Sequence, residues 1–440
     1  MNPFDLIGFD SFHASQKNGL KWSWKLFSFF ILAQSTQFAF GQQTQAVSIL
    51  TVLRTYTQDS LFQQIQRTQS WADQRQWKGS RLREMEFRTE TDKFDLSQQE
   101  FTFRLSPRSR KEYRYQRDRD QLRISSLHSN LSQRQAILLE ARYHLVTKQY
   151  FSLRRYELKG AMKKIVEEKI NFLALRFGEL KLDPVDLAKS ETDLFELESD
   201  VDQLLLELKS DDEVFQRWMQ TNDSVELNFD ALVTVQEIKV ILLRTAQFEA
   251  SLIPEVQMAA QEVEERYLEW EIDQSKNNRW IDFLQARVRG DDMGFIQPEF
   301  SIGLGLQLPL VRENRNQYAI NELQWRMAKT NLTQLIEQNE SEELTFRNKL
   351  LAQIDRWERL HNRLETGLTA KTLDMLRQQE KLDGLALVQL EEQLLLQQMI
   401  LLETEQRVYE VYVQWLYLSG LLSGQSPRNY LSSRLEFIAP

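Results

Sequence analysis

The sequence predicts a mainly α-helical chain with a small β part, built as two copies of one unit. Each unit is a hairpin of short strands followed by very long antiparallel helices. Three observations predict this. Two strand pairs lie about 200 residues apart, and each leads into a stretch of roughly 70 residues without proline, as a continuous helix requires. Each long stretch then ends at a glycine-marked turn, Gly178 in the first copy and Gly384 in the second. Glycine and proline are scarce, 14 and 8 in 440 residues, so no flexible or proline-rich linker divides the chain into ordinary domains.

Residues 45–78 read as a weakly amphipathic helix. In the first hairpin, Met85 and Phe87 alternate with charged neighbours, and Phe101, Phe103 and Leu105 alternate with Thr102 and Arg104. From about 108 to 177 the spacing of Ile124, Leu127, Leu131, Leu138 and Leu145 marks a coiled-coil seam with Arg134 in one slot. Gly178, Leu182, Asp183 and Pro184 then punctuate a turn: a helix-ending glycine, followed by a capping Asp and a first-turn Pro. The returning helix reaches about 220.

The second copy opens near 228, with a helical stretch to about 276 interrupted at Pro254. Its return strand has the clearest alternation in the chain. Phe300, Ile302, Leu304, Leu306 and Leu308 face one way, while Ser301, Gly303, Gly305 and Gln307 face the other. The next helix, about 312–380, carries a seam of Leu350, Ile354, Trp357, Leu364 and Leu368 with His361 in a slot. Gly384 and Leu385 make the second turn, and a helix over 386–418 follows. The tail after 425 reads as loosely structured. The expected division is 1–41 as an export signal, 42–226 and 227–424 as the two repeats, and 425–440 as the tail.

The signal is read from Lys17, Lys21 and Lys25, the apolar run 26–33, and small residues at Ala39 and Gly41. Cysteine is absent, which excludes disulfides, thiolate metal sites and Cys nucleophiles. The net charge of −9 is mixed along the chain and gives no footprint for nucleic acid. His13, His128, His144 and His361 form no metal-ligand spacing. No phosphate loop, nucleophile elbow or zinc-protease motif appears, so neither a cofactor nor a catalytic residue is expected. No segment after the signal reads as a membrane helix, so a crossing would use strands.

A helix of roughly 70 residues reaches on the order of 100 Å, too long to be buried against its own hairpin partner. Each strand pair has one apolar and one polar or small face, as a membrane barrel wall needs, but two hairpins cannot close one. Several chains sharing a barrel would solve both problems.

These residues resemble the TolC-like outer-membrane efflux proteins. The likeness is carried by Phe300–Leu310 with the helix opening near Asn314 and Arg315, by Gly384–Gln393, and by the closing Leu416-Tyr417-Leu418-Ser419-Gly420. The resemblance implies a homotrimer in the outer membrane, with four strands per chain forming a 12-stranded barrel continued by an α-helical tunnel. It implies a passive export conduit of a tripartite efflux or type I secretion system, partnered by a periplasmic adaptor protein and an inner-membrane pump. Gly178, Leu182, Asp183, Pro184, Gly384 and Leu385 would then form the adaptor-facing tips. Met85, Phe87, Phe101, Phe103, Leu105, Phe300, Ile302, Leu304 and Leu306 would face membrane lipid. Asp186, Glu391 and Glu392 would be candidates for an acidic ring in the lumen, although acids near a helix N-terminus are also favoured by its dipole. Three departures stand out: the first hairpin is crowded with charge, the Asn-Pro punctuation usual near Asp59 is missing, and the helices carry more bulky and charged side chains than the family's small-residue pattern. The charged first hairpin motivates an alternative, a non-conducting periplasmic scaffold or adaptor that keeps the fold.

Overall fold

The computed structural model describes residues 45–75, 80–91, 99–177, 184–245, 249–277, 280–291, 294–306, 315–367, 372, 375, 384–424 and 426–438. The signal at 1–41 lies outside the described residues. The N-terminal 45–78 stretch is not one helix. It opens with a strand, β1 (Gln45–Ser48), then α1 (Ile49–Arg54), a 3-10 turn, and α2 (Ser60–Gln74). Asp59, where the Asn-Pro pair is missing, breaks the chain by capping α2. Its Oδ1 accepts from the Phe62 N–H at 2.9 Å.

The first repeat continues through β2 (Leu82–Thr91), β3 (Gln99–Pro107), α3 (Arg110–Phe177) and α4 (Pro184–Met219). The second opens with β4 (Val225–Asn228) and α5 (Val235–Arg244), which starts on a Thr234/Glu237 capping box. It continues as α6 (Pro254–Asn277), β5 (Ile281–Asp291), β6 (Gly294–Leu306), α7 (Arg315–Thr366) and α8 (Gly384–Leu418). Pro254 does not interrupt a helix but begins one, at the position where its missing N–H has no helical partner to lose.

The duplication is thus complete at the level of elements, and β1 and β4, the openings of the two copies, pair in parallel. At 68 residues, α3 spans about 100 Å. On one half of its length α3 packs against α2 and α6, and on the other against α4 and α8. The second long helix, α7, packs against α6 and α8. The result is a single layer, ordered α2–α3–α6–α7 toward the strands and α4–α3–α8–α7 away from them. The shorter helices stack end to end. Gly420, at φ 73°, ends α8 where a Cβ would lie 2.9 Å from the Leu252 backbone just before α6.

The core sits at this waist. Leu139, Tyr143 and Val146 of α3, Ile238 and Leu242 of α5, Leu350 and Ile354 of α7, and Tyr409, Tyr412 and Trp415 of α8 are all buried there. Leu350, Ile354 and Trp357 of the second seam are thus buried within the chain, Leu364 is half-buried and Leu368 lies outside the described residues, whereas Leu131, Leu138 and Leu145 of the first lie half-buried at the core's edge.

The tail is not loose. Val233 N–H donates to Leu431 O at 2.8 Å, Tyr143 Oη donates to Arg428 O at 2.9 Å, and Tyr430 N–H donates to Tyr143 Oη at 3.0 Å. Leu431 and Ile438 are buried in the core. Nor is every later segment too polar for a membrane helix. By length and composition α8 qualifies, because its polar residues are spread among leucines. It instead packs along α3 and α7.

Arg134, the seam's polar slot, clamps Asp59 through Nη2 at 3.0 and 2.9 Å. Deeper in, Arg142 donates to Thr55 Oγ1 at 3.0 Å and lies over Trp218, 4.7 Å from the ring centre; burial lowers its pKa to about 10. Burial also works to raise the Asp59 pKa, but the Phe62 N–H and the Arg134 bonds and charge outweigh it, and the net shift is downward. Such a carboxylate stabilises the fold fully above its unfolded value of about 3.9 and loses that contribution as pH falls through its lowered value. Asp59→Asn keeps the cap and removes the charge. At neutral pH it is expected to cost about 1.5 kcal/mol, the low end for a charged hydrogen bond at a partly exposed site. Melting both proteins at pH 7 and pH 3 checks this: the gap should narrow at the lower pH.

Candidate membrane wall and helical tips

The four longer strands form one antiparallel sheet in the order β2–β3–β5–β6. Paired residues share a face, so the register alone sorts the side chains. One face carries the rows Met85–Leu105–Leu284–Leu304, Phe87–Phe103–Ala286–Ile302 and Thr89–Phe101–Val288–Phe300. The other carries Glu86–Arg104–Gln285–Gly303, Arg88–Thr102–Arg287–Ser301 and Glu90–Glu100–Arg289–Glu299. All nine membrane-facing candidates fall on or beside the apolar face. Met85, Phe87, Phe300, Ile302, Leu304 and Leu306 stand well exposed in the single chain, Ile302 at 75%.

The charge crowding the first hairpin is thereby placed. Glu86, Arg88 and Glu90 lie on the polar face, where they share rows with Arg104, Arg287 and Arg289 of the neighbouring strands. Arg287 pairs with Glu100, and Arg104 stacks on Phe283 at 3.7 Å. Phe283 lies so close over Gly305 that a Cβ there would meet the ring at 2.4 Å, which is the reason for that glycine. Both hairpins bulge at the foot of their first strand, at Leu82/Glu84 and at Ile281/Phe283, a trace of the duplication. Trp280, 70% exposed, marks the foot of β5. The foot of β2 is tied to α3 by Arg83, whose Nη2 reaches both oxygens of the buried Glu112 at 3.0 Å.

Both outer edges of this sheet, β2 and β6, lack a partner strand among the described residues. The helical layer is open on the same two sides. Along the free side of α4, Val185, Ala188, Thr192, Phe195, Ser199, Asp202 and Leu206 are all exposed at alternating three- and four-residue spacing. Along α7, Ile320, Leu323, Met327 and Leu344 follow the same spacing.

At the far end, Gly178, Leu182 and Asp183 lie outside the described residues. Pro184 opens α4, and the exposed Asp186 sits in its first turn, its backbone carbonyl accepting from Ser190 Oγ at 3.0 Å. Gly384 opens α8 with Leu385 beside it. A Cβ on Gly384 would lie 2.9 Å from the Phe172 ring, so the two helical tips meet here. Glu391 and Glu392 follow about two turns on. Glu392 is held by Lys169 of α3 at 2.8 Å. Lys169 ends a ladder on α3 in which Lys148 binds Asp211 at 2.7 Å, Lys159 binds Asp200, and Lys163 binds Glu198 at 2.8 Å. Sequence reasoning missed this ladder, because its partners are 35 or more residues apart and no local spacing links them.

Among the described residues no group of His and carboxylates could hold a metal. His361 stacks on Trp357 at 4.7 Å and lies 3.3 Å from Glu365.

No protein-family model matches this sequence, and no curated protein matches it. Solved structures do. The Neisseria gonorrhoeae MtrE outer-membrane channel in its open state aligns with a TM-score of 0.61 at 10% identity, over 86% of this chain and 89% of that one. The Vibrio cholerae outer-membrane protein VceC aligns at 0.55 and 12%, over 84% and 96%. CusC, described for its folding and transmembrane channel formation, aligns at 0.59 and 12%, over 87% and 96%. The chain has the TolC-like outer-membrane channel fold. The TolC-like layout assigns the strand end and the tips to opposite poles of one elongated molecule, and among the described residues the open edges lie on β2 and β6 of the sheet and on α4 and α7 of the helical layer.

Proposed function

We propose that three copies of this chain close head to tail into an outer-membrane conduit, each β6 edge pairing with the β2 edge of the next copy. The observation that carries this is a four-stranded sheet with one apolar exposed face, one charged face and two unpartnered edges. Two copies would give eight strands, an interior that side chains fill. Three give a 12-stranded barrel wide enough to keep a polar lumen. The exposed side of α7 would meet α2 and α4 of the next copy, and the helical layer would continue the barrel as a tunnel in the periplasm.

In this arrangement the protein does no chemistry. It is the passive exit duct of a tripartite efflux or type I secretion system, with residues 1–41 as export signal and the repeats at 42–226 and 227–424 forming the wall. Gly178, Leu182, Asp183, Pro184, Gly384 and Leu385 would present the tips to a periplasmic adaptor and, through it, to an inner-membrane pump. Asp186 and Glu391 would be candidates for an acidic ring in the lumen, with Glu392 tied back to Lys169. Conductance across planar bilayers tests the reading. Stepwise channels from purified trimers are expected, and a trimer that inserts without conducting would favour a scaffold instead.

A further inference from the structure

Just past the end of β3 the chain becomes strongly basic. Arg108–Arg119 holds six basic residues and two acidic ones. Both acids are already engaged. Glu112, buried at the start of α3, takes both hydrogen bonds from Arg83 and lies 3.9 Å from Arg108. Asp118 is shared by Arg114 at 3.8 Å and Arg117 at 3.3 Å. Among the described residues no carboxylate lies within ion-pair distance of Arg110 or Lys111. Arg110, Lys111, Arg114 and Arg117 are all exposed, and Arg110, Arg114 and Arg117 share one side of the helix. Basic side chains in a helix's first turn oppose its dipole, so helix formation does not explain them.

Their position does. They begin three residues after Pro107, which lies in the last rung of a sheet whose exposed apolar rows end near this level, and the exposed Trp280 marks the same boundary on β5. We infer that Arg110, Lys111, Arg114 and Arg117 form a basic collar that binds the anionic headgroups of phospholipids in the leaflet facing the periplasm. This rests on the proposed membrane-spanning role of the sheet. Guanidinium groups match phosphate oxygens in geometry as well as charge. In this reading lipid tails lie against the Phe103 and Leu105 rows and headgroups against the collar.

The test uses the full chain inserted into vesicles of phosphatidylcholine alone or with phosphatidylglycerol added, at low and high salt. It compares the wild type with a variant combining R110Q, K111Q, R114Q and R117Q. The wild type should prefer the anionic vesicles. Each net charge is worth about fivefold near an anionic surface, so the three charges that Asp118 does not cancel amount to on the order of a hundredfold. The variant should lose that preference while still inserting into phosphatidylcholine, and salt should weaken it in the wild type. Insertion of the wild type without a headgroup preference, or a preference that the variant retains, would overturn the inference alone. Failure of the wild type to enter either vesicle would overturn the membrane role and the collar together.

Discussion

Ile302→Arg should stop the chain from entering the outer membrane, while Ser301→Arg, one residue away, should be tolerated. Ile302 lies in the middle row of the exposed apolar face, and Ser301 lies in the row of Arg88 and Arg287 on the other. An arginine turned toward lipid near the bilayer midplane costs about 2–4 kcal/mol per chain, or on the order of 6–12 kcal/mol for three copies. On the polar face the same side chain meets water and existing charge. Fractionation of cells expressing each variant reads the outcome as the share recovered in the outer membrane. Equal recovery of the two would mean that the faces are not distinguished by lipid.

The second large effect is expected at Trp415. This residue of α8 is fully buried at the waist, and its Nε1 donates to Glu343 Oε1 of α7 at 2.8 Å. Trp415→Ala should cost about 3–5 kcal/mol, the range for an aromatic truncated in a close-packed core. It also leaves Glu343 buried without its donor. Trp415→Phe keeps most of the volume and isolates the hydrogen bond to a charged acceptor, about 1.5–3 kcal/mol. Thermal unfolding of the purified proteins should therefore rank wild type above Phe above Ala. A Phe variant as unstable as Ala would assign the effect to the bond rather than to packing.

Much of this fold was legible in the sequence, because its long elements obey simple periods. The alternation from Phe300 to Leu306 needs no partner to be recognised, and the proline-free run from Arg110 to Phe177 leaves little besides helix. What escaped was set by contacts distant along the chain. β1 and β4 are four residues each and exist only because Gln45–Ser48 meets Val225–Asn228. The tail looked loose because Tyr143 and Gln135, nearly 300 residues earlier, hold it.

The first hairpin shows a different limit. Its charges suggested a degraded copy until the register placed Glu86, Arg88 and Glu90 together on the face turned away from the apolar rows. Counting charge along a strand hides what parity separates. At the tips, Glu392 looked available to a lumen, and only the fold shows Lys169 beside it.

The most direct test of the central claim is whether β6 of one copy lies against β2 of another. The chain has no cysteine, so introduced pairs report without background. Phe87→Cys on β2 can be combined in turn with Phe300→Cys, Ile302→Cys or Leu304→Cys on β6. Within one chain these edges are three strand spacings apart, about 14 Å, beyond the roughly 7 Å limit for a disulfide. Oxidation in membranes should give, for at least one pair, a ladder of covalent dimer and trimer that stops at three. A protein that stays monomeric with every pair, or a ladder that runs past three, would contradict the closed head-to-tail ring.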